Sequence, residues 1–287
     1  MARSSPGVRR VVDVLNFFAE HPGQAFTLTD LLRSLKLSRA TAHALLLGLV
    51  EAGYLYRTSD KSYVIGPALV AVGRAARENF SPIQVAQPEM RALADTFDAT
   101  CAIAFREGED VIIRDRAASI SQLGFSTPIG ARMRLRPPFS AIYYAWSPLI
   151  QAQEWLDQLT PPATAEQRVA MFNGMAFAQE HGFTFGVRTA NAPKEKDTPE
   201  AAFRAGREQY GVTLEFAIKL DAKYDLSTVI APVFDEQRQI AFVLTMIGFA
   251  APRTGAEVLQ IGRALRAACD RVGSFLSGKP APVGRSA

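Results

Sequence analysis

The sequence predicts an α+β chain of two units, a small one of three helices and a hairpin and a larger one built on a sheet. Three observations predict it. Apolar residues recur at helical spacing three times before Gly53, and two short strand-like runs follow them. Beyond Pro82, helical stretches are interleaved with several hairpin patterns. Charge also divides unevenly. Residues 1–80 hold 10 basic and 6 acidic side chains, whereas residues 81–276 hold 20 and 22, within a whole-chain charge of +4. A basic small unit joined to a slightly acidic larger one suits local neutralisation of a polyanion.

Each element of the small unit has a chemical reason. Val8, Val11, Val12, Leu15 and Phe18 mark one face of a first helix, which His21-Pro22-Gly23 stops. Thr27 has the chemistry of an N-cap, and Asp30 stands three residues on, as in a capping box. Leu28, Leu31, Leu32 and Leu35 then form a second short helix. Lys36-Leu37 links it to Ser38, a second N-cap, and a third helix runs from Arg39 to Ala52. Gly53 closes that helix as a C′ residue. Strands are expected at Tyr54–Arg57 and Ser62–Ile65, joined by Thr58-Ser59-Asp60-Lys61.

Three short helices and a hairpin in so few residues close a core only if the helices cross steeply. That is the winged helix-turn-helix arrangement. A helix of this kind fits the major groove and brings its first residues to base edges. Arg39, Thr41 and His43 are therefore the base-reading candidates. Ser38 and the free N–H groups of the first turn suit a phosphate oxygen. Arg57 and Lys61 flank the wing tip, and Arg9 and Arg10 open the first helix, where they can contact flanking phosphates. Double-stranded DNA is thus the expected partner.

A helix restarting at Gly66-Pro67 and carrying Leu69, Val72, Gly73 and Ala76 is expected to link the two units. The expected domains are 1–66 for the winged unit, 67–81 for the linker helix and 82–276 for the larger unit. The tail 277–287 is rich in Gly, Pro, Ser and Ala and is expected to be disordered. In the larger unit, helices are predicted over Ile83–Phe97, Phe139–Trp146, Pro148–Leu159, Ala163–His181 and Gly255–Leu276. Strands are predicted at Thr100–Arg106, Asp110–Asp115, Ser227–Phe234 and Gln239–Gly248. The strict alternation of Val212, Leu214, Phe216, Ile218 and Leu220 predicts another.

Several classes are disfavoured. Cys101 and Cys269 are the only cysteines, stand in no metal-like cluster and read as reduced core residues. No uncharged stretch reaches the ~18 residues of a membrane span, so the expectation is a cytoplasmic chain with no membrane partner. The only histidines are His21, His43 and His181; HExxH, a Gly-rich phosphate loop and a Gly-x-Ser-x-Gly elbow are all missing from the sequence. No catalytic residue, metal or cofactor is expected.

The chain resembles the IclR family of bacterial transcription regulators. The resemblance rests on the Leu28–Leu35 helix, Ser38-Arg39-Ala40-Thr41-Ala42-His43, Leu49-Val50-Glu51-Ala52-Gly53-Tyr54 and Tyr63-Val64-Ile65-Gly66-Pro67-Ala68-Leu69. It continues through Gly130 to Ala141, His181-Gly182-Phe183 and Ile230-Ala231-Pro232-Val233-Phe234-Asp235. It implies a GAF-like effector and oligomerisation domain, a homodimer or dimer of dimers, and a small, often carboxylate-bearing effector. The implied pocket comprises Phe125, Gly130, Arg134, Arg136, Phe139, Ser140, Ala141, Asp221, Thr228, Ile230 and Met246. N–H groups at the start of the Phe139 helix can in principle bind an anion.

Departures from the family pattern mark this chain. Ala44 and Gly48 stand where the family has arginine and threonine, and Pro138-Phe139-Ser140-Ala141 replaces its Thr-Ala-Ser-Gly. Arg136 replaces a histidine, which points either to a larger or more acidic ligand drawn by Arg134 and Arg136 or to a domain that no longer binds one. Residues 188–211 form an insertion with one expected helix near Pro199–Gln209. Phe139 can fill ligand space, which favours a second reading in which the larger unit only assembles the protein. An enzyme is the remote third.

Overall fold

The computed structural model describes residues 5–79, 81–122, 128–189 and 211–278. They divide between two units, Met1–Ser81 and Pro82–Ala287.

The first unit opens with α1 (Pro6–Glu20), whose proline sits at the helix start, where its missing N–H costs nothing. Thr27 caps α2 (Leu28–Leu35) through a full capping box: its Oγ1 accepts from the Asp30 N–H at 3.3 Å, and Asp30 accepts from the Thr27 N–H at 2.9 Å. Ser38 caps α3 (Arg39–Glu51), with its Oγ accepting from the Thr41 N–H at 3.2 Å. Gly53 takes the left-handed conformation (φ +73°) that the C′ position favours. Strands β2 (Leu55–Arg57) and β3 (Ser62–Ile65) follow, and β3 also pairs with β1 (Phe26–Thr27), giving the sheet order β1-β3-β2. Two residues are too few to show an alternating pattern, so β1 had no signature in the sequence. Val14, Phe18, Leu31, Leu46, Leu49, Leu55 and Tyr63 form the core. Helix α4 (Ala68–Asn79) completes the unit.

The second unit contains α5 (Pro82–Phe97), β4 (Thr100–Glu107), β5 (Asp110–Ala118), β6 (Arg132–Arg134), α6 (Ala141–Tyr144), α7 (Leu149–Gln158) and α8 (Ala165–His181). It continues through β7 (Thr184–Arg188), β8 (Val212–Glu215), β9 (Lys223–Tyr224), β10 (Leu226–Phe234), β11 (Ile240–Ile247), β12 (Arg253–Thr254) and α9 (Gly255–Leu276). One sheet of order β6-β5-β4-β11-β10-β7-β8 organises it, with every neighbouring pair antiparallel.

Side-chain alternation gives this sheet two faces. Cys101, Ile103, Val229, Ala231, Leu244 and Met246 pack with α5 and α9 in one core. Ala102, Ala104 and Val243 pack with α6, α7 and α8 in the other, with Ile230 at its margin. Gly262 permits a close approach in the first core. A Cβ there would stand 2.2 Å from the Phe183 ring. Both cysteines are free and buried, and burial pushes the Cys269 thiol up to about 12.

Tertiary packing altered three sequence expectations. The alternating run 212–220 is a strand only over Val212–Glu215, and Leu220 at its end is exposed. The helix expected over Phe139–Trp146 shrinks to Ala141–Tyr144. Strand β7, next to β10 within the sheet, was not expected; its sequence Thr-Phe-Gly-Val-Arg offers too short an alternation to stand out. Phe125, the Pro199–Gln209 helix and most of the expected tail lie outside the described residues.

Candidate nucleic-acid interface and effector face

In the first unit the candidate DNA contacts gather at α3 and the hairpin. Arg39 and His43 are exposed on α3, one turn apart. Thr41 is half-buried, and its Oγ1 lies 2.9 Å from the Ser38 Oγ, so its hydroxyl already belongs to the cap. Ala42, Leu46 and Leu49 hold the opposite face of α3 in the core. Arg39 and Ala40, whose N–H groups belong to the first turn, are exposed residues. That end of the helix favours negative charge.

The wing is internally braced. The Thr58 N–H donates to the Ser62 carbonyl at 2.8 Å, and the Asp60 carboxylate accepts from the Thr58 and Ser62 hydroxyls. Those hydrogen bonds, the Thr58 one above all, hold the Asp60 carboxyl below its ordinary value, so it is ionised at neutral pH. Lys61 is exposed with φ +67°, and the Arg57 guanidinium lies 5.8 Å from the Tyr63 ring centroid. Arg9 and Arg10 are exposed in the first turn of α1.

The effector candidates in the second unit do not share one surface. Ser140 and Ala141 are fully buried at the start of α6. The Ser140 hydroxyl donates to the Met171 sulfur at 3.1 Å, and Ala141 Cβ lies 2.8 Å from where a Cβ on Gly174 would stand. Thr228 and Ile230 project from β10 on this same α6–α8 side of the sheet. Met246 projects to the other side, into the core beneath α9. Arg134 is exposed on the edge strand β6. Arg136 is half-buried and donates to the Thr160 carbonyl at 3.1 Å. Phe139 is half-buried, whereas Gly130 (φ +87°) and Asp221 are exposed.

Two findings revise the ligand chemistry expected here. The N–H groups of Ser140, Ala141 and Tyr143 already donate to the carbonyls of Arg136, Pro138 and Ser140. A helix this short leaves none of those groups aimed at an anion. Sequence reasoning also missed Thr245, whose Oγ1 lies 3.1 Å from that of Thr228 on the α6–α8 side. The alternation of Val243, Thr245 and Ile247 along β11 was the signal that could have found it. Cavities of about 320 Å³ (by His181, Phe216, Leu220 and Leu259) and about 620 Å³ (by Arg91, Asp98, Ser119 and Ser121) involve none of the candidate residues. Among the described residues no group of His, Cys, Asp or Glu has metal-binding geometry, and no helix is long and apolar enough to cross a membrane.

A capped helix standing free beside a braced hairpin defines the first unit as a winged helix-turn-helix. Residues 7–59 match the IclR helix-turn-helix domain. The chain is 25% identical over 257 residues to the HTH-type transcriptional regulator BhcR of Paracoccus denitrificans, a match covering 84% of this chain and 89% of that protein. It is 23% identical over 135 residues to the HTH-type transcriptional regulator KipR of Bacillus subtilis, covering 47% of this chain and 53% of KipR, about half its length. The fold is also that of the Agobacterium tumefaciens repressor BlcR, with TM-score 0.66 and 18% identity over 96% of this chain and 99% of BlcR. Residues 7–59 thus carry the IclR helix-turn-helix domain, and the chain as a whole is similar to transcriptional regulators that contain it.

Proposed function

We propose that this chain binds an operator in duplex DNA as a cytoplasmic homodimer or dimer of dimers, and that a small metabolite adjusts this binding. The observation that carries the DNA reading is the exposed Arg39–His43 face of the capped helix α3, set beside a wing that bears Arg57 and Lys61. Arg39 and His43 are assigned to base edges. Ser38, Arg9, Arg10, Arg57 and Lys61 are assigned to the backbone. Thr41 can contribute its methyl group, since its hydroxyl is engaged in the cap. Family members bind DNA and many respond to small molecules; the larger unit is read here as their GAF-like effector domain.

The effector is assigned to the α6–α8 side of the sheet, where Thr228 and Ile230 face α6 and Arg136 stands nearby in the chain segment leading into it. A second reading has its own observation. Ser140 and Ala141 are closed against Met171 and Gly174, as expected of a unit that only assembles the protein.

Binding to duplexes selected from a random-sequence pool tests the first claim. Replacing Arg39 with alanine should cost about 1–3 kcal/mol on the preferred duplex and relax its sequence preference. Replacing Lys61 should weaken all duplexes alike and flatten the salt dependence. Unchanged affinity and specificity in Arg39→Ala would remove its assigned role. For the effector, a metabolite panel scored by melting temperature should give a hit that Arg136→Ala weakens. A panel that leaves the melting temperature unmoved favours the assembly reading.

A further inference from the structure

The outward face of α3 has a composition that the base-reading assignment does not use. Ala40, His43, Ala44 and Leu47 follow the i, i+3, i+4, i+7 spacing of a single helix face, and all four are exposed. Leu47 is 50% exposed, although the neighbouring Leu46 and Leu49 are buried. Between Arg39 and Glu51 the helix carries no formal charge, and on this face only His43 can hydrogen-bond a base edge. A groove-reading helix with so few polar groups must obtain its remaining discrimination from apolar contact. In unmodified DNA the major groove offers one apolar group that depends on sequence, the thymine 5-methyl.

We infer that Leu47, with Ala44 beside it, is a specificity-determining residue that packs against thymine methyl groups. This rests on the DNA reading proposed above and names the chemistry of the half-site. The occupant of this face is duplex DNA, favoured by charge complementarity to the exposed cations of the same unit. Arg39 precedes it on the helix, and Arg57 and Lys61 stand on the wing of the same unit. From Ala40 to Leu47 the face runs about 10 Å along the helix axis, about three base-pair steps. Leu47 lies two turns beyond Arg39, so its thymine contact should fall outside the base that Arg39 reads.

The experiment uses the full-length protein and the duplex it enriches most strongly from a random-sequence pool. Each thymine is replaced in turn by deoxyuridine, which removes the methyl and leaves the pairing intact. At one or more positions the wild type should lose about fourfold in affinity, the ratio expected for one buried methyl-sized group. Leu47→Ala should show little further loss at those positions, and Leu47→Asn should enrich duplexes without thymine there. Equal uracil sensitivity in wild type and Leu47→Ala overturns the role, as does no sensitivity anywhere. A lower oligomeric mass for Leu47→Ala also overturns it, by assigning the face to self-association. A pool with no enriched sequence removes the DNA reading itself and this inference with it. The wild-type arm alters only the DNA, so the absence of any uracil sensitivity overturns the role however well the variants fold.

Discussion

In the N-terminal unit the candidate side chains stand outside elements whose inner faces make the core; in the larger unit Ser140, Ala141, Thr228 and Met246 among the candidates lie within the core packing itself. Arg39 and His43 project from α3 while Leu46 and Leu49 bury its other side. Ser140, Ala141 and Thr228 are buried between sheet and helices, and Met246 turns to the opposite face. An outward-facing site can be altered without disturbing the fold. An inward-facing site shares its atoms with stability, so function and folding change together there.

The comparison can be broken most forcefully through the two cores. Phe18→Ala and Phe183→Ala each remove a fully buried ring and should each cost about 3–5 kcal/mol. Phe18→Ala should abolish DNA binding while amide protection in β10 and β11 persists; Phe183→Ala should strip that protection. Loss of protection in both units from either change would instead show one cooperative body.

Gly262→Ala sharpens the point on a smaller scale. The added methyl meets the Phe183 ring well inside contact distance, and overpacking of this kind costs about 1–3 kcal/mol. Chemical denaturation should find that cost in the larger unit. Ser38→Ala should cost about 1 kcal/mol through loss of the α3 cap, and should weaken DNA binding because the cap sets the first turn. An unchanged melting curve together with unchanged affinity would mean that Ser38 contributes nothing to the start of the helix.

The smallest expected effect is one of pH. Hydrogen bonds from Thr254, backbone first and then hydroxyl, lower the Glu257 carboxyl from its ordinary 4.5 at the start of α9. A carboxyl depressed in the folded state contributes stability above its unfolded value and loses it as pH falls through the folded one. Glu257→Gln should therefore narrow its stability deficit against wild type below about pH 4.5. A deficit that stays constant from neutral to acid pH would deny the carboxylate that role.

Where one chain segment contains its own instructions, the sequence alone determined the outcome. The Thr27-Asp30 and Ser38 caps, Gly53, the wing hairpin and α9 at Gly255–Leu276 follow from local propensity, capping and turn chemistry. Only tertiary structure decided which face of β10 and β11 meets which helices, that β7 joins β10, and that the alternating run stops at Glu215. It also paired Thr228 with Thr245. Period-two alternation assigns side chains to two faces but not to a partner, because the partner is another segment whose position depends on how the whole core packs.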